Sequence, residues 1–283
     1  MRGKWVQYKK EIIMKNLPKI AIVGASGRMG QMLIQSVLAS NKVKLAGVTE
    51  REGHDWLGQD LGVCMGGAEI GINVSNNPME VFKNADAVID FTSPKATIEH
   101  AKLAVKAGIV HVIGTTGMDS SHLDKLKNLS KDIVIIRAGN MSLGLNLLTL
   151  LTKKISAALD EDFDIEIVES HHKHKVDAPS GTAIRTAELI SSSREEAGRT
   201  QALIPGVGQS ARGEVVSGVP IHSLRINGVS AKQEVNLGGA DELLTISHTA
   251  GSVNAYALGI LESIRFTASA TGITLGLNKV LGI

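Results

Sequence analysis

The stretch KIAIVGASGRMG, Lys19–Gly30, contains the pattern from which the fold can be predicted. A short β-branched run, Lys19–Val23, leads into a glycine turn, Gly24–Gly30, and helical spacing of apolar residues then extends from Arg28 to Ala39. A second apolar run, Val43–Val48, completes a βαβ unit of about thirty residues. This order predicts a parallel sheet with a ligand site at the glycine turn.

The glycine turn, GASGRMG, has the composition of a phosphate-binding loop. Its backbone N–H groups, together with the N-terminus of the following helix, can receive a pyrophosphate without obstruction by side chains. Ser26 stands at the second glycine position of the common G-x-G-x-x-G pattern. The turn therefore predicts a bound dinucleotide, and a tight turn that binds nothing is the alternative.

Two charged residues, Glu50 and Arg51, follow the second predicted strand. A carboxylate at this position can accept hydrogen bonds from ribose hydroxyls, and a guanidinium beside it can accommodate an added phosphate. The pair therefore favours either NADH or NADPH as the cofactor. Two solvated charges at the end of a strand are the alternative.

Alternating strands and helices continue to about residue 140, and they predict an α/β domain with a Rossmann-like, doubly wound parallel sheet. The strands are predicted at Ala87–Phe91, Ile109–Ile113 and Ile133–Ile136, and the helices at Lys95–Ala107 and Ser120–Ser130. The motifs DFT, Asp90–Thr92, and GTTG, Gly114–Gly117, each follow a strand. They are expected to line a nicotinamide pocket, although Thr and Gly also close strands that bind no ligand.

A different pattern follows Asn140 and predicts an α+β domain with a mixed or antiparallel sheet. Its predicted elements are a helix at Leu143–Leu159, a strand at Phe163–Glu169, a helix from Gly181, and strands at Ile221–Val229, Gln233–Leu237 and Leu243–His248. A last helix is predicted at Val253–Ser269. We therefore expect a dinucleotide-binding domain at 1–142, with residues 1–18 as an extension, and a substrate-binding and oligomerisation domain at 143–251. Residues 252–283 are expected to pack back on the first domain.

The run HHKHK, His171–Lys175, is the densest group of cationic and titratable residues, and no acidic residue interrupts it. Such a run predicts an anion receptor or a site of proton delivery. The following Pro179-Ser180-Gly181-Thr182 starts a helix, whose N–H groups can hold a carboxylate. A zinc site and a solvated basic loop are the alternatives, but the interleaved lysines would repel a dication.

Composition limits the kind of protein and its partners. The 283 residues suggest two domains, and thirty Lys and Arg against twenty-eight Asp and Glu give a net charge of +2, which argues against nucleic acid or membrane as a partner. One cysteine, Cys64, cannot form an internal disulfide, so a cytoplasmic location is expected. The charged N-terminus is unlike a signal peptide, and Met14 is an alternative start of translation.

Taken together and in order, these motifs resemble those of the dihydrodipicolinate reductase family. The resemblance rests on GASGRMG, EREG at Glu50–Gly53, DFT, GTTG, Asn140-Met141-Ser142 and, above all, HHKHKVDAPSGTA, and it covers nearly the whole chain from about Ile20. It implies reduction of a cyclic unsaturated imine dicarboxylate to tetrahydrodipicolinate by NADH or NADPH, on the diaminopimelate route to lysine, in a homotetramer built from the second domain.

The resemblance also implies roles for individual residues. His171 and Lys175 would be the acid or proton-relay pair, His172 would hold the substrate, and Gly181 and Thr182 would bind a carboxylate. Cofactor contacts would be made by Gly24, Ala25, Ser26, Gly27, Arg28, Met29, Glu50, Arg51, Gly114, Thr115, Thr116, Ala138, Gly139, Asn140 and Met141. No metal is implied.

Two other functions are compatible with part of the pattern. A non-catalytic dinucleotide sensor would keep the glycine turn and Glu50 without needing a cationic loop. A sister reductase that acts on another dicarboxylate would keep both features. Turnover separates the first from a reductase, and a comparison of substrates separates the second.

Overall fold

The computed structural model describes residues 17–199, 212–252 and 254–283, and it divides into two compact units. Among these residues, the first unit comprises those up to Met141 together with Tyr256–Ile283, and the second comprises those within Ser142–Ala255. Nearly all of the expected N-terminal extension and the alternative start at Met14 lie outside the described residues.

The helices and strands follow one another along the chain as follows. The strands are β1 (Lys19–Val23), β2 (Lys44–Thr49), β3 (Val74–Ser75), β4 (Ala87–Asp90), β5 (Val110–Ile113), β6 (Ile135–Arg137), β7 (Asp164–His172), β8 (Glu214–Val216), β9 (Val219–Ile226), β10 (Ala231–Gly238), β11 (Leu243–Ala250) and β12 (Ile273–Leu275). The helices are α1 (Arg28–Leu38), α2 (Leu61–Cys64), α3 (Pro78–Lys83), α4 (Pro94–Ala107), α5 (Ser120–Leu129), α6 (Leu143–Ala158), α7 (Gly181–Glu196), α8 (Ala255–Phe266) and α9 (Asn278–Leu281).

In the part of the chain that is described, the first unit contains a parallel sheet of seven strands in the order β12-β6-β5-β4-β1-β2-β3. The central strands are almost wholly buried apolar runs, as expected where helices cover both faces of a sheet. The predicted doubly wound parallel sheet is confirmed. The strand order reverses between β1 and β4, so the chain runs in opposite directions after these two neighbouring strands, and such sheets bind ligands at the carboxyl edge of this point.

Local sequence explains where the helices of this sheet begin and end. Ser93 caps α4 by accepting a hydrogen bond from the N–H of Ala96, and Pro94 occupies the first helical position, where its missing N–H costs nothing. Gly108 ends α4 in the left-handed conformation, with φ at 66°. The helix therefore returns the chain to the sheet at β5.

The second unit contains a mixed sheet, with five strands in the order β11-β10-β7-β9-β8 within its described residues. Helices α6 and α7 pack on one face, where Leu148, Ile167, Ile190 and Val235 belong to a buried apolar core. The opposite face, which we call the outer face, carries Leu224, Ile226 and Leu243, all substantially exposed.

Several predicted boundaries differ from the structure, and one difference bears on function. The strand predicted at Phe163–Glu169 extends through His172 because β10 and β9 pair with it on both sides, with His171 opposite Ala231 and Arg225. His171 and His172 were expected in a loop, and this expectation was wrong. The strand predicted to reach Val229 ends at Ile226, ahead of the turn at Gly228, where φ is 82°.

Short elements account for most of the remaining differences. The sequence analysis did not predict α2, β3, α3, β8, β12 or α9. After α8, β12 adds to the edge of the first unit's sheet by pairing with β6, so Ile273 lies opposite Ile135. None of the helices in the described ranges is long and apolar enough to cross a membrane.

Candidate functional site

The glycine turn between β1 and α1 folds over the carboxyl end of β2. The N–H groups of Gly24 and Ala25 both donate to the carbonyl oxygen of Thr49, at 2.9 and 3.1 Å, and Gly24 has a φ of 73°, in the region that favours glycine. A Cβ added to Gly24 would lie 3.0 Å from Cγ2 of Thr92. The turn and the DFT motif therefore lie side by side.

The start of α1 fits the dinucleotide predicted from sequence. The N-cap residue, Gly27, has no side chain with which to cap the first turn, so backbone N–H groups remain for an anion. A Cβ at Gly30 would approach the carbonyl oxygen of Gly24 to 2.1 Å, so only glycine allows α1 to pack this close to the turn. Arg28 is exposed and Met29 is half-buried beside this opening.

Glu50 is tied to the glycine turn through Ser26. Its carboxylate accepts hydrogen bonds from the Ser26 N–H at 3.0 Å and the Ser26 hydroxyl at 2.8 Å, and from the Arg51 N–H at 2.9 Å. Burial raises the pKa of Glu50, but these hydrogen bonds outweigh burial and keep the pKa below its ordinary value. Ser26, which departs from the common glycine pattern, therefore anchors the acid expected to bind ribose, while Arg51 is exposed.

Asp90, at the end of β4, is fully buried and organises two of the predicted cofactor loops. Its carboxylate accepts from the Thr92 hydroxyl at 2.6 Å and contacts His100 Nδ1 at 2.8 Å and His111 Nε2 at 3.3 Å. Thr115 Oγ1 lies 3.4 Å from the same carboxylate. Burial raises the pKa of Asp90, but the two histidines hold it well below its usual range, so the loops are fastened to a carboxylate.

The other predicted cofactor residues of the first unit lie at the same edge of the sheet. Gly114 packs so tightly on the Phe91 ring that a Cβ would come within 2.0 Å of it, and its N–H donates to the Asp90 carbonyl oxygen. The N–H of Ala138 donates to the Ile113 carbonyl oxygen at 3.1 Å. Thr116 and Gly139 are exposed, Asn140 is half-buried, and Met141 is buried. The structure thus brings the glycine turn, DFT, GTTG and Ala138–Met141 to one edge.

Glu169 is the centre of the site in the second unit. This fully buried carboxylate contacts His171 Nδ1 at 2.5 Å. It also accepts hydrogen bonds from both terminal nitrogens of Arg225, at 2.8 and 2.9 Å. It also accepts the N–H of Ser180 at 3.1 Å. Burial raises the pKa of Glu169, whereas the hydrogen bonds from His171, Arg225 and Ser223 lower it to about 2.

Lys175 is paired with a carboxylate in this structure. Its Nζ donates to both oxygens of Asp177, at 2.6 and 2.8 Å, and this contact, working against the small effect of burial, lowers the pKa of Asp177. Arg225 donates to the Asp177 carbonyl oxygen at 2.6 Å. The cationic run is therefore flanked and partly neutralised by Glu169 and Asp177, although no acid interrupts it in sequence.

The N-terminus of α7 adjoins this group. The Ser180 hydroxyl accepts the N–H of Ala183 at 3.2 Å, a capping bond that leaves the N–H groups of Gly181 and Thr182 directed out of the first turn. Gly181 is exposed, and a Cβ placed on it would meet no atom within 4 Å, so no side chain packs against the start of α7 at this position. A carboxylate fits this position.

His172 is not joined to the Glu169 group by any hydrogen bond found among the described residues. Side chains of adjacent strand residues point to opposite faces, and the His172 ring instead lies near His174, with centroids 6.4 Å apart. Across the described ranges, no group of three or more His, Cys, Asp and Glu side chains is arranged to hold a metal ion.

Sequence reasoning missed four charged residues at these two sites, namely Glu169, Asp177, Arg225 and Arg137. Glu169 carried a signal, because it lies two residues before His171 on the same face of a strand. No sequence signal pointed to Arg225, since it lies 56 residues from Glu169 in the chain and reaches the site only through the pairing of β9 with β7. Arg137, at the end of β6, is a half-buried cation whose Nε has no hydrogen-bond partner among the described atoms, and burial lowers its pKa.

Comparisons with known proteins cover most of the chain. Residues 18–141 match the family model described as dihydrodipicolinate reductase, N-terminus, and residues 144–281 match the corresponding C-terminus model. A 4-hydroxy-tetrahydrodipicolinate reductase from Ruegeria sp. (strain TM1040) is 48% identical over 255 residues, which cover 88% of this chain and 93% of the relative. One from Brucella abortus (strain 2308) is 40% identical, covering 86% and 91%.

A solved structure agrees with these matches. The dipicolinate-bound dihydrodipicolinate reductase from Paenisporosarcina sp. TG-14 superposes with a TM-score of 0.78 at 29% identity, covering 93% of this chain and 99% of that one. An amine dehydrogenase from Mycobacterium smegmatis, at 15% identity and a TM-score of 0.63, shares the fold.

Proposed function

Because the chain belongs to the dihydrodipicolinate reductase family, we propose that its first unit holds the nicotinamide cofactor and its second unit holds and protonates the substrate. The reaction is the NAD(P)H-dependent reduction of a cyclic unsaturated imine dicarboxylate to tetrahydrodipicolinate in lysine biosynthesis. The substrate is 4-hydroxy-tetrahydrodipicolinate, which loses its hydroxyl as water to give the conjugated imine dihydrodipicolinate, and this imine takes up the hydride and a proton. The observation that carries the assignment of roles is the grouping of His171, Lys175 and the open N-terminus of α7 around Glu169 and Arg225.

In the first unit, the residues fit a dinucleotide. The open N-terminus of α1 and the turn at Gly24–Gly27 would hold the pyrophosphate, and Glu50 would accept hydrogen bonds from the adenosine ribose. Thr115 and the other loop residues anchored by Asp90 would border the nicotinamide. When bound, the reduced nicotinamide supplies a hydride.

In the second unit, the substrate's two carboxylates need cationic or N–H partners. We assign one carboxylate to the N–H groups of Gly181 and Thr182 at the exposed start of α7, because the Ser180 side chain caps only the N–H of Ala183. We assign the other carboxylate to His172 and Lys175, which lie at and just beyond the end of β7. The substrate carboxylate and the Asp177 carboxylate compete for the ammonium of Lys175, so Lys175 leaves Asp177 when the substrate binds.

Lys175 and His171 are the groups we assign to proton transfer. Reduction of the conjugated imine leaves electron density on the ring, and the ammonium of Lys175 supplies the proton that neutralises it. His171, held by Glu169 through Nδ1, keeps Nε2 for exchange of protons with Lys175 or solvent. General acid assistance of this kind is typically worth about 10²- to 10⁴-fold in rate.

The proposed roles are tested by turnover. The purified protein, given freshly generated substrate, is expected to oxidise NADH or NADPH, and omission of the substrate should stop the reaction. A comparison with other cyclic dicarboxylates distinguishes this reductase from a sister enzyme. Cofactor binding without any turnover would overturn the assignment of His171 and Lys175 and would favour a dinucleotide sensor.

We further propose that the protein is a homotetramer assembled through the outer face of the second unit. Leu243 is 68% exposed on that face and Ile226 is 45% exposed, while the opposite face is covered by α6 and α7. A second copy of the same sheet is an apolar partner that would cover both. The cytoplasmic location also remains a proposal, supported by the single free Cys64.

A further inference from the structure

The hydrogen-bonding contacts of Glu169 with His171, Arg225 and Ser180 together use both of its oxygens. Oε2 contacts His171 Nδ1 at 2.5 Å and accepts one terminal nitrogen of Arg225, while Oε1 accepts the other nitrogen and the N–H of Ser180. The carboxylate is fully buried and lies in the strand that carries His171. A buried carboxylate with this many donors is not an accidental surface contact.

The contacts determine which nitrogen of His171 carries hydrogen. The bidentate ion pair with Arg225 keeps Glu169 ionised. The pKa of Glu169, about 2, agrees with this geometry. An ionised carboxylate can only accept hydrogen bonds, so Nδ1 of His171 must donate. In the neutral imidazole, Nε2 is then the nitrogen without hydrogen, and it can take up a proton and later pass it on.

The ion pair of Glu169 with Arg225 also contacts the other parts of the proposed site. Arg225 donates to the carbonyl oxygen of Asp177, and the side chain of Asp177 holds Lys175. On the other side, Glu169 holds the N–H of Ser180, the residue before the carboxylate-binding N–H groups of α7. One ion pair thus connects the acid group, the lysine and the helix N-terminus.

We propose that Glu169, clamped by Arg225, is a positioning residue that fixes the Nδ1–H tautomer of His171 and thereby keeps Nε2 available for proton transfer. The inference rests on the proposed role of His171 in the reaction. It also predicts that Glu169 affects the chemical step much more than binding, because neither oxygen of its buried carboxylate is available to a ligand.

Glu169→Gln tests this with little change in shape. We expect kcat to fall on the order of 10²-fold, as for loss of general acid function, with a change of less than about threefold in the dissociation constant of dipicolinate. Calorimetric titration with dipicolinate shows that the variant is folded and measures binding.

Glu166→Gln is the matched control, because Glu166 lies on the same strand and contacts His222 at 2.8 Å without contacting the proposed site. Its kcat should stay within about twofold of the unaltered protein.

A spectroscopic measurement keeps the test independent of activity and of the variant's folding. In the unaltered protein with ¹⁵N-labelled histidine, long-range proton–nitrogen correlation should show His171 with its proton on Nδ1, the signal being assigned by its loss in His171→Asn. In Glu169→Gln we expect a mixture of tautomers. A proton on Nε2 in the unaltered protein would overturn the inference, as would an unchanged kcat in Glu169→Gln.

The two proposals fail in different ways. If the unaltered protein does not reduce the substrate although His171 has its proton on Nδ1, the proposed roles in turnover fail and the positioning by Glu169 stands as a structural fact. If the unaltered protein turns over normally and Glu169→Gln matches it, the reductase assignment stands and the positioning inference fails.

Discussion

At the scale of single residues, the site of the second unit depends on carboxylates as much as on the cations that mark it in sequence. Glu169 orients His171, and Asp177 holds Lys175, so each proposed proton-transfer group has an acidic partner. Isolated positive charges packed this closely would repel one another. The carboxylates allow the run to be both dense and ordered.

Lys175→Ala is expected to lower kcat by at least about a hundredfold, because it removes the proposed proton donor. The affinity for NADH should change little, since the variant leaves the glycine turn and Glu50 intact. Steady-state kinetics and a titration of NADH fluorescence measure the two quantities. Lys173→Ala is the matched control: Lys173 is an exposed lysine of the same run, and its loss should leave kcat nearly unchanged. Normal turnover in Lys175→Ala would rule out this role.

Glu169 also makes stability depend on pH. Its pKa is about 2 in the folded protein against an ordinary value of 4.5, so the carboxylate stabilises the fold above about pH 4.5 and loses this effect as the pH falls towards 2. The shift corresponds to about 3 kcal/mol at most. Urea unfolding should show the stability difference between the protein and Glu169→Gln shrinking over that range. A difference that is constant from pH 6 to pH 2.5 would contradict this origin.

At the scale of elements, the carboxyl edge of the parallel sheet is assembled by close backbone packing and one buried acid. Gly30 allows α1 to approach the turn, and Asp90 fastens the loops after β4 and β5 through Thr92 and Thr115. These loops carry residues that were expected to contact the cofactor. Their order therefore depends on groups that lie beneath the surface a ligand would touch.

Gly30→Ala is expected to weaken NADH binding by at least about tenfold and to cost about 1–3 kcal/mol in stability, because the new methyl group would lie 2.1 Å from the Gly24 carbonyl oxygen. Fluorescence titration and thermal unfolding measure the two effects. Gly67→Ala serves as a control in the same unit, since its Cβ would come no nearer than 3.5 Å to another atom. Unaltered NADH affinity in Gly30→Ala would show that α1 does not need this close approach.

The longer elements of the sheet could be predicted from sequence, and the contacts that organise the site could not. Periodicity and capping residues identified β1, α1 and α4 because those signals are local. The extension of β7 through His172 depends on two neighbouring strands, and the pairing of Glu169 with Arg225 depends on register. The run His171–Lys175 was identifiable from its density in the chain, and the family resemblance singled out His171 and Lys175 within it. The residues that hold these two side chains come from the fold.

At the scale of the whole molecule, the sheet of the second unit is covered by helices on one face. The outer face exposes Leu224, Ile226 and Leu243 in strands that alternate apolar and polar residues. We assign this face to contact between copies of the chain. Leu243→Glu should therefore reduce the mass measured by light scattering below that of four chains. Leu38→Glu, at an exposed site on α1, should leave the mass unchanged. A tetramer in Leu243→Glu would exclude Leu243 from the interface.

The ion pair of Lys175 with Asp177 also affects how ligand binding responds to ionic strength. A dicarboxylate that takes Asp177's place exchanges one anionic neighbour of the ammonium for another, and dissolved salt screens both contacts. Titrations with dipicolinate in rising potassium chloride should therefore show only a shallow loss of affinity. In Asp177→Asn the ammonium has no internal anion to give up, so binding should be tighter in dilute buffer and should weaken more steeply as salt is added.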